Sequence, residues 1–424
     1  MWYLKKRSFC QVLALYILIA PFFLNFLQDF LHLPSLIKYT VDLAWVVAVV
    51  RLVFDRIQFV YKKTLPILIL ILTYLLYVSI GYLFKYQSVF YFLWGLRNNL
   101  RFYVAFMVFV YFLDGDDIQW SLKLIDILFA VHVVVTFFQF FVLGYQWDYL
   151  GGIFGVRTGC NGHSLMLLLV VCIKSLLTYM HNEEGLILCL LKCGASFIIA
   201  AMAELKVFFV LFLLLLVVAA LITKFSAKKI LIIVSISFVV FLAGSIFTSI
   251  WGNDKTLTVE RIVELITATS YSSERDISRF TALPVISNSI LVETPQKLFG
   301  LGLGNCETSS FAICNTPFFQ SHSYMNYDWL SSAFAFLETG YFGLGLALSF
   351  FVVVYICARR MKRRGEGMAL YAEMAMVMAV ACIVLFFYNS SLRTDIGYIA
   401  YFVLVLPFVS TTPDSVHKSA VLEN

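Results

Sequence analysis

Basic side chains that could together hold an anion occur between the apolar segments of this chain. Arg275 and Arg279 are four residues apart, so they would share one face of a helix. The planar guanidinium group suits diphosphate, because it offers two parallel, charge-assisted hydrogen bonds. This spacing therefore predicts a site for a diphosphate group. Further basic residues that could converge on the same site are Arg97, Arg101, Arg157, Lys206 and Arg393.

Each of these basic residues, taken singly, also has a simpler explanation. An arginine near a membrane surface can keep its aliphatic part among apolar groups while its charge pairs with lipid phosphates. Lys206 and Glu204 lie between two apolar runs that are separated by almost no turn. Ionisable groups inside a membrane are costly to bury and are functional candidates for that reason. A structural Glu204–Lys206 pair remains the alternative.

The candidate proton acceptor is His322, which is the only histidine between residues 251 and 329. A neutral imidazole can accept a proton from an attacking sugar hydroxyl, whereas a solvated loop histidine is the alternative interpretation. The cysteines contain no CxxC pair with zinc spacing, and we predict neither a metal nor a cofactor. Cys306 and Cys314 could form a disulfide in an oxidising compartment.

The composition places all these residues in a membrane protein. Of the 424 residues, 61% are hydrophobic and only 13% are charged, whereas a soluble domain has about 45–50% and about 25%. The excess apolar surface needs lipid as its solvent, and each helical span needs roughly 20 apolar residues. The sequence predicts an all-α polytopic membrane protein with about twelve transmembrane helices. They are expected at 9–27, 36–54, 65–84, 100–113, 118–143, 164–180, 185–203, 205–223, 229–250, 330–356, 368–390 and 394–410.

Basic residues near the ends of these segments predict their orientation. If the segments alternate in direction, most basic clusters fall on one side, which the positive-inside rule makes the cytoplasm. Both termini are then cytoplasmic. The same clusters could be nucleic-acid patches, but orientation explains them without a further assumption, and we predict no nucleic-acid partner. The clusters are Lys5 to Arg7, Arg51, Arg56, Lys62, Lys63, Lys224, Lys228, Lys229 and Arg359 to Arg364.

The alternation divides the chain into three parts. Residues 1–250 form nine transmembrane helices, residues 251–329 form one large periplasmic loop with short helices, and residues 330–424 form three more helices and a cytoplasmic tail. Within the loop, apolar residues at 259–266 recur with helical spacing. A second helix is expected from Asp276 as N-cap to Thr294-Pro295, kinked at Pro284. Gly300, Gly302 and Gly304 predict a flexible turn.

Four segments, in this order and topological position, resemble the O-antigen polymerase and ligase superfamily, which includes Wzy-type polysaccharide polymerases. The resemblance covers roughly residues 150–345, and the twelve-helix layout with one late loop is similar over the remainder. The segments are Gly152-Ile153-Phe154-Gly155 with Arg157, Asn161 and His163; Ala203-Glu204-Leu205-Lys206; Ser278-Arg279 with Leu298 to Gly304; and Asp328-Trp329-Leu330 with Glu338-Thr339-Gly340 and Gly343.

The resemblance implies a metal-independent, inverting glycosyltransferase of the GT-C type at the periplasmic face of the bacterial inner membrane. Its substrate would be an oligosaccharide carried on undecaprenyl diphosphate. By position, Arg157, Lys206 and Arg279 would hold the diphosphate, and His322 would be the base. Fixed cations that stabilise the departing diphosphate would make a divalent metal unnecessary. Chain-length regulator and flippase proteins are the partners that this function implies.

One departure from the family pattern favours a polymerase of O-antigen, capsular polysaccharide or exopolysaccharide. Ligase-type members tend to carry a His-Asn pair shortly before the Glu-x-Gly segment, whereas this chain has Asp328 and Trp329 there. An acidic residue at this place is more frequent in polymerases, and it puts a catalytic role of His322 in doubt. The alternatives are an O-antigen ligase that transfers polysaccharide to lipid A-core in lipopolysaccharide, and a transporter or flippase of the same lipid-linked substrate.

Overall fold

The computed structural model of the chain describes residues 7–54, 63–85, 87–224, 227–252, 276–309 and 311–409, and all regular elements in these ranges are helical. Arg275, the helix expected at 259–266 and both termini lie outside the described residues. The first ten α-helices are α1 (Phe9–Ile19), α2 (Leu24–Phe30), α3 (Tyr39–Phe54), α4 (Leu65–Lys85), α5 (Val89–Phe112), α6 (Gly115–Phe141), α7 (Cys160–Met180), α8 (Leu186–Met202), α9 (Lys206–Ile222) and α10 (Ala227–Trp251).

Three short helices precede the last three long or apolar ones. These six are α11 (Ala282–Ser289), α12 (Thr294–Phe299), α13 (Pro317–His322), α14 (Ser331–Arg364), α15 (Ala369–Tyr388) and α16 (Gly397–Val405).

Each of the twelve apolar segments predicted from the sequence contains a helix. Six helices in the described ranges, α4, α6, α7, α10, α14 and α15, are long and apolar enough to cross a membrane. The pair formed by α1 and α2, which is bent by 46°, would be a seventh span. The apolar helices α8 and α9 are shorter, with 17 residues each. A multi-pass membrane protein is therefore confirmed, while the number twelve stays a prediction.

Burial separates central helices from peripheral ones. In α7, 89% of the most apolar stretch is buried inside the protein, compared with 17% in α4. The exposed side chains of α4 are large and apolar, including Leu72, Leu76, Leu83 and Phe84, so this helix faces lipid. Helix α7 packs against α8, α9, α15 and α16 and forms the centre of the bundle.

The helices alternate so that the connections gather at two ends of the bundle. We name the end that holds residues 144–159, 276–330 and 389–396 the loop end. At the opposite end, Lys63 pairs with Glu366 at 3.5 Å and Lys362 pairs with Glu373 at 2.6 Å. Basic residues from separate connections therefore meet there, as the predicted alternation requires.

Helix α14 is interrupted at Gly340, where the backbone has φ +63° and ψ −166°. Only glycine adopts this conformation readily. A Cβ atom here would also lie 2.4 Å from the carbonyl carbon of Leu298. The 24 residues that follow the break extend about 36 Å, which is enough to cross the roughly 30 Å hydrocarbon core. The break therefore lies towards the loop end of α14 and not in its middle.

The carbonyl groups freed by this break find new donors. The Leu301 N–H donates to the Leu337 carbonyl at 2.8 Å, and the Gly302 N–H donates to the Glu338 carbonyl at 2.9 Å. Exposed backbone groups cannot be left without partners in an apolar environment. The segment 300–304 therefore packs as a strap across the break. The expected turn is present, with positive φ at Gly300, Gly302 and Gly304, and these hydrogen bonds fix it to α14.

The helix predicted from Asp276 to Thr294-Pro295 is wrong. The structure has the shorter helix α11 and then a separate helix α12. Pro284 lies in the first turn of α11, where its missing N–H has no helical partner to lose. Pro295 likewise begins α12 instead of ending the preceding helix, because proline suits the first helical positions.

We expect Gly340→Ala to destabilise the protein by about 3 kcal/mol or more, since it combines a backbone conformation reserved for glycine with a close contact to Leu298. The measurement is thermal unfolding of the detergent-solubilised protein. Gly345→Ala is the matched control in the same helix, because a Cβ atom at Gly345 meets open space. Equal unfolding temperatures for the two variants would contradict this account of the break.

Candidate anion-binding site at the loop end

The 389–396 turn between α15 and α16 connects the elements of the candidate site. The Asn389 carbonyl accepts hydrogen bonds from the Ser331 N–H at 3.1 Å and from its hydroxyl at 2.9 Å. The Ser391 hydroxyl donates to the Gly162 carbonyl at 3.2 Å. The turn therefore fastens the beginning of α14 to the beginning of α7.

Two buried or half-buried arginines meet at this turn. Arg101 of α5 donates to Asp395 at 2.7 Å, and its other terminal nitrogen donates to the Arg393 carbonyl. Arg393 donates to Glu307 at 3.0 Å and stacks on the ring of Phe334. These contacts make one continuous network of two guanidinium groups and two carboxylates.

Arg97, one turn before Arg101 in α5, is held in a separate pair. Both its Nε and a terminal nitrogen donate to Asp42 of α3. Its guanidinium lies 5.0 Å from the ring centre of Trp94 and 5.7 Å from that of Tyr39. A bidentate carboxylate and aromatic faces are the surroundings in which arginine is most strongly fixed.

Arg157 lies in the connection between α6 and α7 and contacts α2. It pairs with Asp29 and donates to Gln28 at 2.7 Å. Asp29 also accepts a hydrogen bond from the Val156 N–H at 2.9 Å. Arg157 is therefore held by a second, local set of contacts.

Lys206 and Arg279 occupy other positions at the loop end. Lys206 is the first residue of α9, and its ammonium is 3.4 Å from Glu204 in the preceding turn. A carboxylate near a helix N-terminus is favourable, which supports the structural interpretation of this pair. Arg279 lies over the ring of Tyr388, at 4.6 Å from its centre, and so lies beside the 389–396 turn.

The two proton-transfer candidates have different surroundings. Within the described residues, the hydrogen-bond partners of His322 are Ser321 and Phe318 of its own short helix, and its ring stacks on Phe318. Asp328 is half-buried, and the charge of Arg393 acts on its carboxyl group. Burial raises the pKa of the Asp328 carboxyl, and Arg393 opposes that rise. Asp328 therefore lies within electrostatic range of Arg393.

Glu307 is a deeply buried acid of the loops that meet here, with 4% of its surface exposed. Burial raises the pKa of its carboxyl above the usual value. Arg393 opposes this shift most strongly, and Asn98 opposes it through a side-chain hydrogen bond. Arg393 therefore favours the charged form of the Glu307 carboxyl against the effect of burial.

An apolar cavity of about 360 Å³ adjoins the break in α14. Its walls come from α4, α12, the strap and the break. The Tyr77 hydroxyl, at its edge, donates to the Thr339 carbonyl at 2.6 Å. Because α4 faces lipid, the cavity lies beside the hydrocarbon region. The lining residues are Tyr77, Val78, Ile80, Gly81, Phe84, Pro295, Phe299, Gly302, Leu303, Glu338 and Thr339.

A smaller cavity of about 40 Å³ lies against Arg393 and has polar side chains in its wall, among them Asn98, Asn99 and Ser331. Helices α4 and α14 contribute to both cavities. Tyr74 of α4 and Ala335 of α14 line the small cavity. Tyr77 and Glu338, each one turn further along the same helices, line the large one. The apolar cavity therefore lies near the small cavity that Arg393 lines.

The loop end also contains the two cysteines that could form a disulfide. Cys306 and Cys314 are both buried free thiols, so the disulfide is not present. In the ranges that the structure describes, no group of three or more His, Cys, Asp or Glu side chains could hold a metal ion.

Sequence reasoning found the arginines but not the residues that neutralise them. Asp29, Asp42, Glu307 and Asp395 were absent from the candidate set, and so was Lys38. The sequence does contain a signal for these acids. Acidic residues in short connections beside arginine-rich segments are expected to balance the arginine charge in a low-dielectric region.

No protein-family model matches this chain, and no curated protein matches its sequence. The geometry of the loop end is therefore the basis for assigning a function.

We expect Arg393→Ala to destabilise the protein by about 3–5 kcal/mol, because it leaves Glu307 buried without its cation. The double variant Arg393→Met with Glu307→Gln should regain most of this loss, since no uncompensated charge remains. Thermal unfolding in detergent measures both effects. Additive losses in the double variant would show that the pair does not act as a unit.

Proposed function

We propose that the protein is a membrane glycosyltransferase that joins oligosaccharide repeat units, carried on undecaprenyl diphosphate, into O-antigen, capsular polysaccharide or exopolysaccharide at the periplasmic face. One observation carries the proposal: the arginine–carboxylate network, with Arg279 beside the same turn, adjoins an apolar cavity at the loop end. A lipid with a diphosphate head group needs both kinds of surface in this arrangement.

The chemistry requires a group that stabilises the leaving diphosphate. An acceptor sugar hydroxyl attacks the anomeric carbon, the bond to the diphosphate oxygen breaks, and its electron pair leaves with the diphosphate. Attack opposite the leaving group inverts the anomeric centre. Cations held in fixed positions lower the energy of this charge without a metal. Arg279, which stacks on Tyr388 beside the 389–396 turn, is our candidate for this contact.

The proton of the acceptor hydroxyl needs a base near the cations. Asp328 is our candidate, because it lies within electrostatic range of Arg393 and because burial raises its pKa, which makes the carboxylate a better proton acceptor. His322 is held by its own helix and is the second candidate. An acid at this place also agrees with the polymerase interpretation of the sequence.

A transporter of the same lipid is disfavoured by the position of the broken helix. Transporters bind substrate near the middle of the membrane on discontinuous helices. The segment after Gly340 is long enough to cross the hydrocarbon core unaided, so the break in α14 lies at its edge.

The deciding experiment uses the purified protein in lipid nanodiscs with its lipid-linked repeat unit. We expect a ladder of longer lipid-linked chains from the unaltered protein. Arg279→Ala should lower the rate about 10²–10³-fold, as the loss of one transition-state contact does. Arg279→Lys should also be slow, since a point charge cannot replace a planar fork. Transfer to lipid A-core without ladder growth would identify a ligase instead. The absence of any sugar transfer would refute the glycosyltransferase function.

We expect Gly81→Leu to raise the KM for the lipid-linked substrate about tenfold, which corresponds to about 1.4 kcal/mol of lost apolar contact. Gly81 lines the cavity, and a Cβ atom there meets open space, so the larger side chain fills the cavity without a clash in the helix. The matched control is Gly345→Leu, at another open helical position away from the cavity. An unchanged KM would exclude the cavity as the site of the lipid chain.

A further inference from the structure

Lys38 differs from the arginines at the loop end, because its charge is not taken up by a partner. It ends the short 3-10 helix Ser35–Lys38 and is half-buried. In the part of the chain that the structure describes, its ammonium makes no hydrogen bond and no ion pair. The carboxylates around it are engaged by arginines instead.

Lys38 lies close to the Arg157–Asp29 pair. Its short helix packs against α2, where the Gln28 side chain donates to the Ser35 carbonyl at 3.4 Å and accepts a hydrogen bond from Arg157 at 2.7 Å. Asp29, Arg157 and Asp395 all act electrostatically on the Lys38 ammonium. Lys38 therefore lies near charged groups from α2, from the 144–159 connection and from the 389–396 turn.

Lys38 differs from four arginines of the loop end in having no paired carboxylate among the described residues. Arg97, Arg101, Arg157 and Arg393 each lie within ion-pair distance of one carboxylate, and Lys38 does not. The four carboxylates are Asp42, Asp395, Asp29 and Glu307. An incoming anion gains most from a cation that is not already neutralised, since a paired arginine must first release its carboxylate.

We propose that Lys38 binds a phosphate of the lipid-linked substrate, with Arg101 and Arg157 holding the surrounding carboxylates away from it. The proposal rests on the function given above. A compact ammonium on a flexible stem suits this role, because it can follow the phosphate as the bond to the sugar breaks. The two flanking pairs act as positioning groups and fix where the ammonium can reach.

A competing explanation is that Lys38 only balances Asp395 and Asp29 within the fold. This explanation predicts a loss of stability on substitution and no specific loss of anion binding. Lys297 of α12 is the matched control: it is also half-buried at the loop end and has no ion pair or hydrogen bond from its ammonium among the described residues, but it is not among the neighbours of the network.

The test measures binding of inorganic pyrophosphate to the purified full-length protein, together with KM and kcat for the lipid-linked repeat unit. We expect Lys38→Gln to weaken pyrophosphate binding and raise KM at least tenfold, with a smaller change in kcat. Lys38→Arg should keep most of the binding, and Lys297→Gln should equal the unaltered protein. Lys38→Met, which keeps the aliphatic stem, replaces the Gln variant if that one does not fold.

Two outcomes separate the failure of this inference from the failure of the proposed function. Polymer formation with unchanged pyrophosphate binding in Lys38→Gln and Lys38→Met would overturn the phosphate site and leave the enzyme standing. Pyrophosphate binding that depends on Lys38, with no sugar transfer by the unaltered protein, would support the phosphate site and refute the glycosyltransferase.

Discussion

A buried arginine or carboxylate must be paired, and at the loop end this requirement joins distant parts of the chain. A charge removed from water without a partner costs several kcal/mol. Arg101 and Asp395 are 294 residues apart in sequence, and Arg157 and Asp29 are 128 apart. Each pair satisfies a charge and at the same time fixes one helix against another. The network is therefore a structural frame that holds the helices together at the loop end.

The frame also limits what the arginines can do chemically. A guanidinium that already carries a bidentate carboxylate, as Arg97 does with Asp42, offers little to an incoming diphosphate. The cations suited to ligand binding are those outside such pairs.

The sequence predicts the helices well and the site only in part, for different physical reasons. Apolar segments long enough to span lipid must be helical, so hydropathy alone locates α4, α7 and α15 within a few residues. The partner of a charged residue comes from another helix, and no local pattern identifies Asp395 as the partner of Arg101. Pro295 was misinterpreted because proline both ends and begins helices, and only the position of the neighbouring elements decides which.

The break at Gly340 connects the frame with the apolar cavity. In a continuous α14, the carbonyls of Leu337 and Glu338 would bond within the helix, and the strap would have no acceptors there. Because the helix breaks, these carbonyls receive the N–H groups of the strap, and the Thr339 carbonyl receives Tyr77 from α4. The Glu338 side chain accepts the Cys306 N–H at 3.1 Å, directly beside Glu307 of the network. One glycine thus determines the wall of the cavity and the position of a network carboxylate together, so that the apolar cavity and the charged network lie next to each other.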